Sequence, residues 1–271
     1  MRTASFSSII GIGLVAAVSG IGQAADLAIK APPLVAASTS WTGFYVGGNV
    51  GANTESSSGI SNFLDTRGTL AENPQNNQFN TTQAIGGGQV GYNWQIDPRW
   101  VIGVEGDWSF THDNYSFCRQ TAISGAACSD NGVGFETISS TTDWLATARG
   151  RAGFTWSNLL LYGTGGFAWG RVETSLTQSC LVAGCGSAPT SSFASSTSTA
   201  IKSGWAAGLG TEMQWDAHWS ARLEWLHIDL GSISNSLSSA GTPFSAQITT
   251  WSRSERYDVL RAGINYRFWS G

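Results

Sequence analysis

Charge is scarce in this chain. Only 12% of its 271 residues are Asp, Glu, Lys or Arg, against 41% hydrophobic residues, whereas a soluble domain carries about 25% charged residues. A shortage of that size argues against an ordinary water-facing surface. Long hydrophobic runs are also missing. No apolar stretch of about 20 residues exists outside the N-terminus, which excludes a transmembrane helix. The 14 basic and 18 acidic residues leave a net charge of −4, so there is no electrostatic footprint for nucleic acid. What is abundant is glycine (34) and tryptophan (13). With the Ser, Thr and Asn load, this composition excludes a helix-rich core.

The tryptophans have a pattern. Trp100 and Trp108, Trp144 and Trp156, Trp205 and Trp215, and Trp219 and Trp225 each share one parity within an alternating segment. Side chains two apart on a strand share a face, so each pair lies on one face, near opposite ends. Trp94 and Trp169 join them. Two aromatic belts around an apolar band characterise a transmembrane β-barrel. Eight alternating segments are expected, over 42–52, 82–95, 100–110, 142–155, 159–172, 203–215, 219–230 and 256–268. The fold class is therefore all-β, an eight-stranded antiparallel up-and-down barrel.

The connections alternate too. Asp97-Pro98-Arg99, Ser157-Asn158 and Asp216-Ala217-His218 are tight turns. Long stretches near 53–81, 111–141, 173–202 and 231–255 separate them, rich in Ser, Thr, Gly and Asn. Three short periplasmic turns and four long extracellular loops follow, with both termini on the short-turn side. Trp251 falls in the last long loop, beyond the belts. Residues 1–24 read as a secretory signal: Arg2 is basic, Ile9 to Val18 is apolar, and Gly22-Gln23-Ala24 suits cleavage before Ala25. Residues 25–40, with Lys30-Ala31-Pro32-Pro33, form an extended periplasmic tether. The barrel occupies 41–271.

A soluble eight-stranded barrel would turn its apolar face inward and its charges outward. Here one face collects Glu105, Asp107, Arg149, Arg151, Glu212, Arg222, Glu224 and Arg261, four of each sign. Trp, Leu, Ile and Val take the other, and the belts and signal sequence favour a membrane. The charges then line the interior. Unpaired charges inside a narrow barrel are costly, so equal numbers of each sign suggest ion pairs. Eight strands leave an interior that side chains fill, which favours a plug over a polar path for small solutes.

Other motifs carry less. Cys118 and Cys128 fall in one long loop, Cys180 and Cys185 in another. Four cysteines allow three pairings. The loop assignment favours Cys118–Cys128 and Cys180–Cys185 as disulfides in an oxidising location; metal ligation is weaker, because no histidine sits beside either pair. Gly86-x-Gly88-x-x-Gly91 matches a dinucleotide fingerprint as a string, but it lies inside an alternating strand instead of opening a helix. His112, His218 and His227 are scattered. A rim lipid-modifying enzyme would centre on His227, yet no spacing supports one. No cofactor is expected.

Several segments carry a family resemblance. Trp41-Thr42-Gly43-Phe44-Tyr45-Val46-Gly47-Gly48-Asn49-Val50-Gly51 resembles the first strand of small immunogenic outer-membrane proteins of α-proteobacteria, relatives of the OmpA transmembrane domain. The runs 86–94, 224–231 and 261–268 resemble the second, seventh and eighth strands, and 24–27 and 30–33 the processing site and tether. The resemblance implies an outer-membrane barrel of a Gram-negative cell, surface-exposed and antigenic. It also implies insertion by the barrel-assembly machinery, with Tyr266 and Phe268 ending the terminal strand as the signal. This chain departs by adding Trp269-Ser270-Gly271. Some relatives bind haem, but three scattered histidines make a weak case. Expected partners are outer-membrane lipid and lipopolysaccharide, and a host or surface ligand through the loops. The expected role is non-enzymatic: anchor, envelope integrity and surface interaction, with a solute pore as the alternative.

Overall fold

The computed structural model describes residues 40–65, 75–120, 134–180, 192–238 and 247–268. The expected signal sequence, the tether up to residue 39, and residues 269–271 lie outside the described residues. So does the proposed cysteine pairing, since Cys128 and Cys185 fall in 121–133 and 181–191. Eight strands form: β1 (Gly43–Asp65), β2 (Gln75–Asp97), β3 (Trp100–Gln120), β4 (Gly134–Trp156), β5 (Leu159–Cys180), β6 (Ser192–Gln214), β7 (Trp219–Ser238) and β8 (Gln247–Arg267). Each pairs antiparallel with its sequence neighbours, and β1 pairs β8 to close the barrel.

Register sets the girth. Following Cα partners from Val46 through Val90, Gly106, Ala148, Phe167, Trp205, Asp229 and Arg256 returns to β1 at Ser56, ten residues along. Eight strands with that stagger, at about 3.3 Å rise and 4.8 Å spacing, tilt about 40° and enclose a backbone radius of roughly 8 Å. Such a lumen holds side chains and little else. The two-residue alternation decides which ones enter. On β3, Val101, Glu105, Asp107, Ser109 and Thr111 are buried inside, while Trp100, Ile102, Val104, Trp108 and Phe110 are exposed outside.

The strands are much longer than the sequence reading allows. Their 20–23 residues rise roughly 50–58 Å at that tilt, about twice the apolar band of about 25 Å. The segments taken as long loops at 53–81, 111–141, 173–202 and 231–255 are largely strand. The parts of these stretches at 66–74, 121–133, 181–191 and 239–246 lie outside the described residues. Trp251 accordingly is a strand residue of β8, not a loop residue, and its side chain is buried inside. Alternation fades above the apolar band because the outer face there meets water. Ser, Thr and Asn then occupy both faces.

The upper wall is also divided. Ladders β3–β4–β5–β6 and β7–β8–β1–β2 continue to the top. The β2–β3 ladder stops at Ile85↔Thr111, and β6–β7 stops at Trp205↔Asp229. Two four-stranded sheets therefore continue upward with open seams between them. Bulges sit at this level, between Phe110 and Asp113, Thr142 and Trp144, and Asp229 and Ser232, where an extra residue bends a strand and sharpens its twist. Gly231 takes a left-handed φ of 76° within the last, a conformation that costs glycine little.

At the other rim the chain turns tightly. Pro98-Arg99 and Ser157-Asn158 each join two strands, and Trp215 to His218 form the third connection. Asp216 accepts backbone N–H donors from His218 at 2.7 Å and Trp219 at 2.8 Å. Those donors hold its carboxyl below the usual carboxylate range. A lowered folded pKa stabilises above the unfolded value of about 4 and is lost as pH falls through the folded one. The stability gap between the parent and Asp216→Ala should thus be full at neutral pH and close in acid, as read by denaturant titrations at several pH values.

Glycines on opposite faces of β2 give a second test. A Cβ on the inward Gly87 would collide with the Trp108 carbonyl oxygen, whereas on the outward Gly86 it meets the Asn49 carbonyl oxygen at an ordinary 3.5 Å. Gly87→Val should block folding, and Gly86→Val should fold. The mobility of unheated samples in detergent gels reads both.

Candidate functional site

The interior is layered. At the short-turn rim Trp41, Val101, Leu160 and Tyr162 form an apolar cluster. Arg267 stacks over Trp41, with its guanidinium carbon 5.3 Å from the ring centroid, and donates to Ser40 and Gln214. Above this cluster come the eight charges predicted from parity. All eight are buried and the structure joins them in one network. Arg149 reaches Glu105 at 2.6 Å, Asp107 at 2.9 Å and Glu224 at 3.1 Å. Arg261 bridges Asp107 at 2.9 Å and Glu224 at 2.7 Å. Arg222 pairs Glu105, and Arg151 holds Glu212 at 2.7 Å.

Register explains the assembly. Glu105↔Arg149, Glu212↔Arg222 and Glu224↔Arg261 are directly opposed across adjacent strands. Crossing contacts, such as Arg149 on β4 with Glu224 on β7, span the lumen because it is so narrow. Neutral groups complete the coordination. Tyr45 donates to Glu105 at 2.6 Å, Tyr162 to Glu224 at 3.1 Å, and Ser220 and Asn265 to Glu212 at 2.6 and 2.9 Å. Each carboxylate has a guanidinium partner. The layer is electrically balanced.

A second apolar layer lies above, formed by Ile85, Leu145, Ala168, Ala206, Leu226, Ile228, Leu230, Tyr257 and Val259. Beyond it is a polar layer that sequence reasoning missed. Arg253 pairs Glu55 and Glu255, Tyr257 donates to Glu255 at 3.1 Å, and Asp113 accepts from Asn53 and Thr111. All of these except Tyr257 fall within stretches that the sequence reading assigns to loops. Their parity does continue that of Asn49 on β1 and Arg261 on β8, which was the available signal. Ile138, Val172, Leu176, Ile233 and Trp251 form a third apolar layer, joining the two upper sheets.

The belt residues face outward. Trp94, Trp100, Trp156, Trp215 and Trp219 ring the short-turn rim. Trp108, Trp144, Trp169 and Trp205 form the other girdle, where Trp108 stacks on Trp144 at 4.2 Å. Trp225 lies within the apolar band, paired with Leu209 and Leu260, four positions below Asp229, the partner of Trp205. Tyr266 and Phe268 face outward at the rim, with ring centroids 5.2 Å apart.

The remaining candidates are dispersed. His227 Nδ1 lies 3.0 Å from Asp258 on the outer wall, and no serine joins that pair among the described residues. His218 stacks on Tyr266 at the opposite rim. Gly86, Gly88 and Gly91 sit mid-strand on β2, so the fingerprint string opens no helix.

Removing one partner from a buried ion pair costs about 3–5 kcal/mol, because the other charge stays buried. Arg149→Met takes one guanidinium contact from each of three carboxylates and leaves the buried layer one positive charge short, and Glu105→Gln removes the carboxylate that three guanidinium groups contact. Both should lower the denaturant midpoint of the refolded barrel well below that of the parent. An unchanged midpoint in either would rule out a tightly coupled network.

A family model described as outer membrane protein beta-barrel domain matches residues 14–268. The 31 kDa outer-membrane immunogenic proteins of Brucella melitensis biotype 1 and Brucella suis biovar 1 are each 28% identical over 276 residues, covering 96% of this chain and 99% of theirs. Among solved structures, the outer membrane protein OprG from Pseudomonas aeruginosa is 10% identical, with coverage of 83% of this chain and 97% of that one and a TM-score of 0.42.

Proposed function

Because this chain belongs to the outer-membrane protein β-barrel family, and so resides in the outer membrane of a Gram-negative cell, we propose that it is a non-enzymatic surface protein. Its barrel is a filled anchor. Its projecting upper wall is the interaction face. One observation carries this reading: three apolar layers alternate with two polar ones along the lumen. An ion path needs continuous water or polar lining, and dewetted apolar constrictions interrupt it. The polar layers are committed to internal pairing instead of being held open for solute.

The projecting wall supports the second half of the proposal. About half of each strand rises past the outer girdle, and the Brucella relatives are named as immunogenic. On this reading residues 1–24 direct export, 25–40 tether the barrel, and the strand ending at Tyr266 and Phe268 is read by the insertion machinery. Lipid and lipopolysaccharide cover the outer wall between and above the belts. Arg171–Asp143 and Arg256–Asp229 pairs, at 3.4 and 3.2 Å, face outward near the outer girdle at headgroup depth. His227 and Asp258 are part of the same outward row and serve no catalytic role.

Planar bilayers containing the refolded protein test the filled anchor. The expected record is background conductance at moderate voltage in monovalent salt. Reproducible ohmic steps would overturn the reading and favour the solute pore. On whole cells, protease should cut the wall above the outer girdle and leave the strands below it protected.

A further inference from the structure

The two open seams expose strand edges, and the four edges are not alike. Above Ala168↔Gly204, β6 pairs with β5 on one side only, from Gly204 to Ser192. Thirteen consecutive residues therefore carry an unpartnered edge among the described residues. Successive residues of a strand aim their N–H and C=O groups to alternate sides. About half of these backbone groups therefore point into the seam.

Natural sheets protect such edges with charge, proline, bulges or short length. The β3 edge has His112 and Asp113, and the β2 edge, Gln75–Ala84, is uncharged and in unbroken register with β1 but shorter. The β7 edge is broken by the bulge at Gly231. The β6 edge has no proline or bulge along its run, and its one charge, Lys202, sits at the foot. Its register with β5 has no shift from Leu159↔Met213 to Cys180↔Ser192. Residues 192–201 include no charge and no proline; Lys202, at the foot of the seam, donates to the Ser232 carbonyl at 3.3 Å. Ser195, Thr197, Thr199 and Ile201 face outward and are exposed, Ile201 by 67%. A long, regular, uncharged edge with β-branched residues on its outer face is a template for another strand.

We propose that the β6 edge over residues 195–201 is a strand-addition site that takes an extended, uncharged polypeptide segment. Main-chain hydrogen bonds supply the affinity, and cross-strand contacts with Thr197, Thr199 and Ile201 favour β-branched or apolar residues in the partner. This rests on the surface role proposed above and names its site and partner class. A glycan would meet the same hydroxyls, but its donors and acceptors do not repeat at the spacing of a strand. The peptide is the better match.

The test is amide hydrogen exchange on the full barrel in lipid nanodiscs. The probe is a synthetic peptide alternating threonine and valine between lysine ends, with a backbone N-methylated copy as control. Without peptide, alternate amides of 195–201 should exchange faster than any in the same stretch of β5, which is paired on both sides. With peptide they should slow by about tenfold or more, and the N-methylated copy should leave them unchanged. Thr197→Pro and Ser198→Pro complete the design, because one of the two removes a seam-facing N–H and the other a β5-facing one. The seam-facing variant should fold and lose the peptide effect.

Slow exchange of every amide before peptide is added would overturn the open edge. Fast exchange that the peptide leaves unaltered would overturn strand addition. A sulfated oligosaccharide that slows these amides where the peptide does not would replace the peptide reading. None of these outcomes alters conductance or whole-cell proteolysis, so the surface role stands or falls separately.

Discussion

A backbone radius of roughly 8 Å governs everything inside this protein. Eight strands staggered by ten residues cannot enclose a stream of water and a lining as well. Inward side chains must fill the lumen, and any polar ones must satisfy each other. The cross-lumen pairs, Arg149 with Glu224 and Arg261 with Asp107, exist because opposite walls are within reach of two side chains. The same narrowness explains the glycines on the inner face, such as Gly87 and Gly166, where an added carbon would strike the neighbouring strand.

Filling the lumen has a functional consequence. Polar layers flanked by apolar ones are stable where they are and poor conduits. The apolar cluster around Leu226 and Leu230 separates the lower charged network from the Arg253 layer above. On the proposed reading, the interaction face is not the lumen but the upper wall. There the outer surface is polar, the strands outrun the apolar band, and two seams leave edges without partner strands among the described residues.

Much of the lower half was legible in advance. Parity placed the charges Glu105 to Arg261 on one face and the tryptophans on the other, since a strand in a membrane barrel meets lipid on one side and protein on the other. The upper half was not. Above the outer girdle both faces carry Ser, Thr and Asn, and the period of two loses its contrast. Glu55, Arg253, Glu255 and Trp251 were consequently assigned to loops, although the strands β1 and β8 run through them. Trp41 was likewise read only as part of a motif, while the fold buries it at the lower rim beneath Arg267.

By itself, the sequence determined the number of strands, their alternation, the short turns and the sign of each face. These follow from local rules: two-residue periodicity, tight-turn chemistry and the mismatch between apolar surface and charge. Tertiary structure alone decided the stagger, the pairing partners and the height at which the wall divides. Those depend on how distant strands register against one another, and a single strand holds no record of its neighbour's offset. Whether Arg149 meets Glu224, and whether β6 meets β7 above Trp205, are questions of that offset.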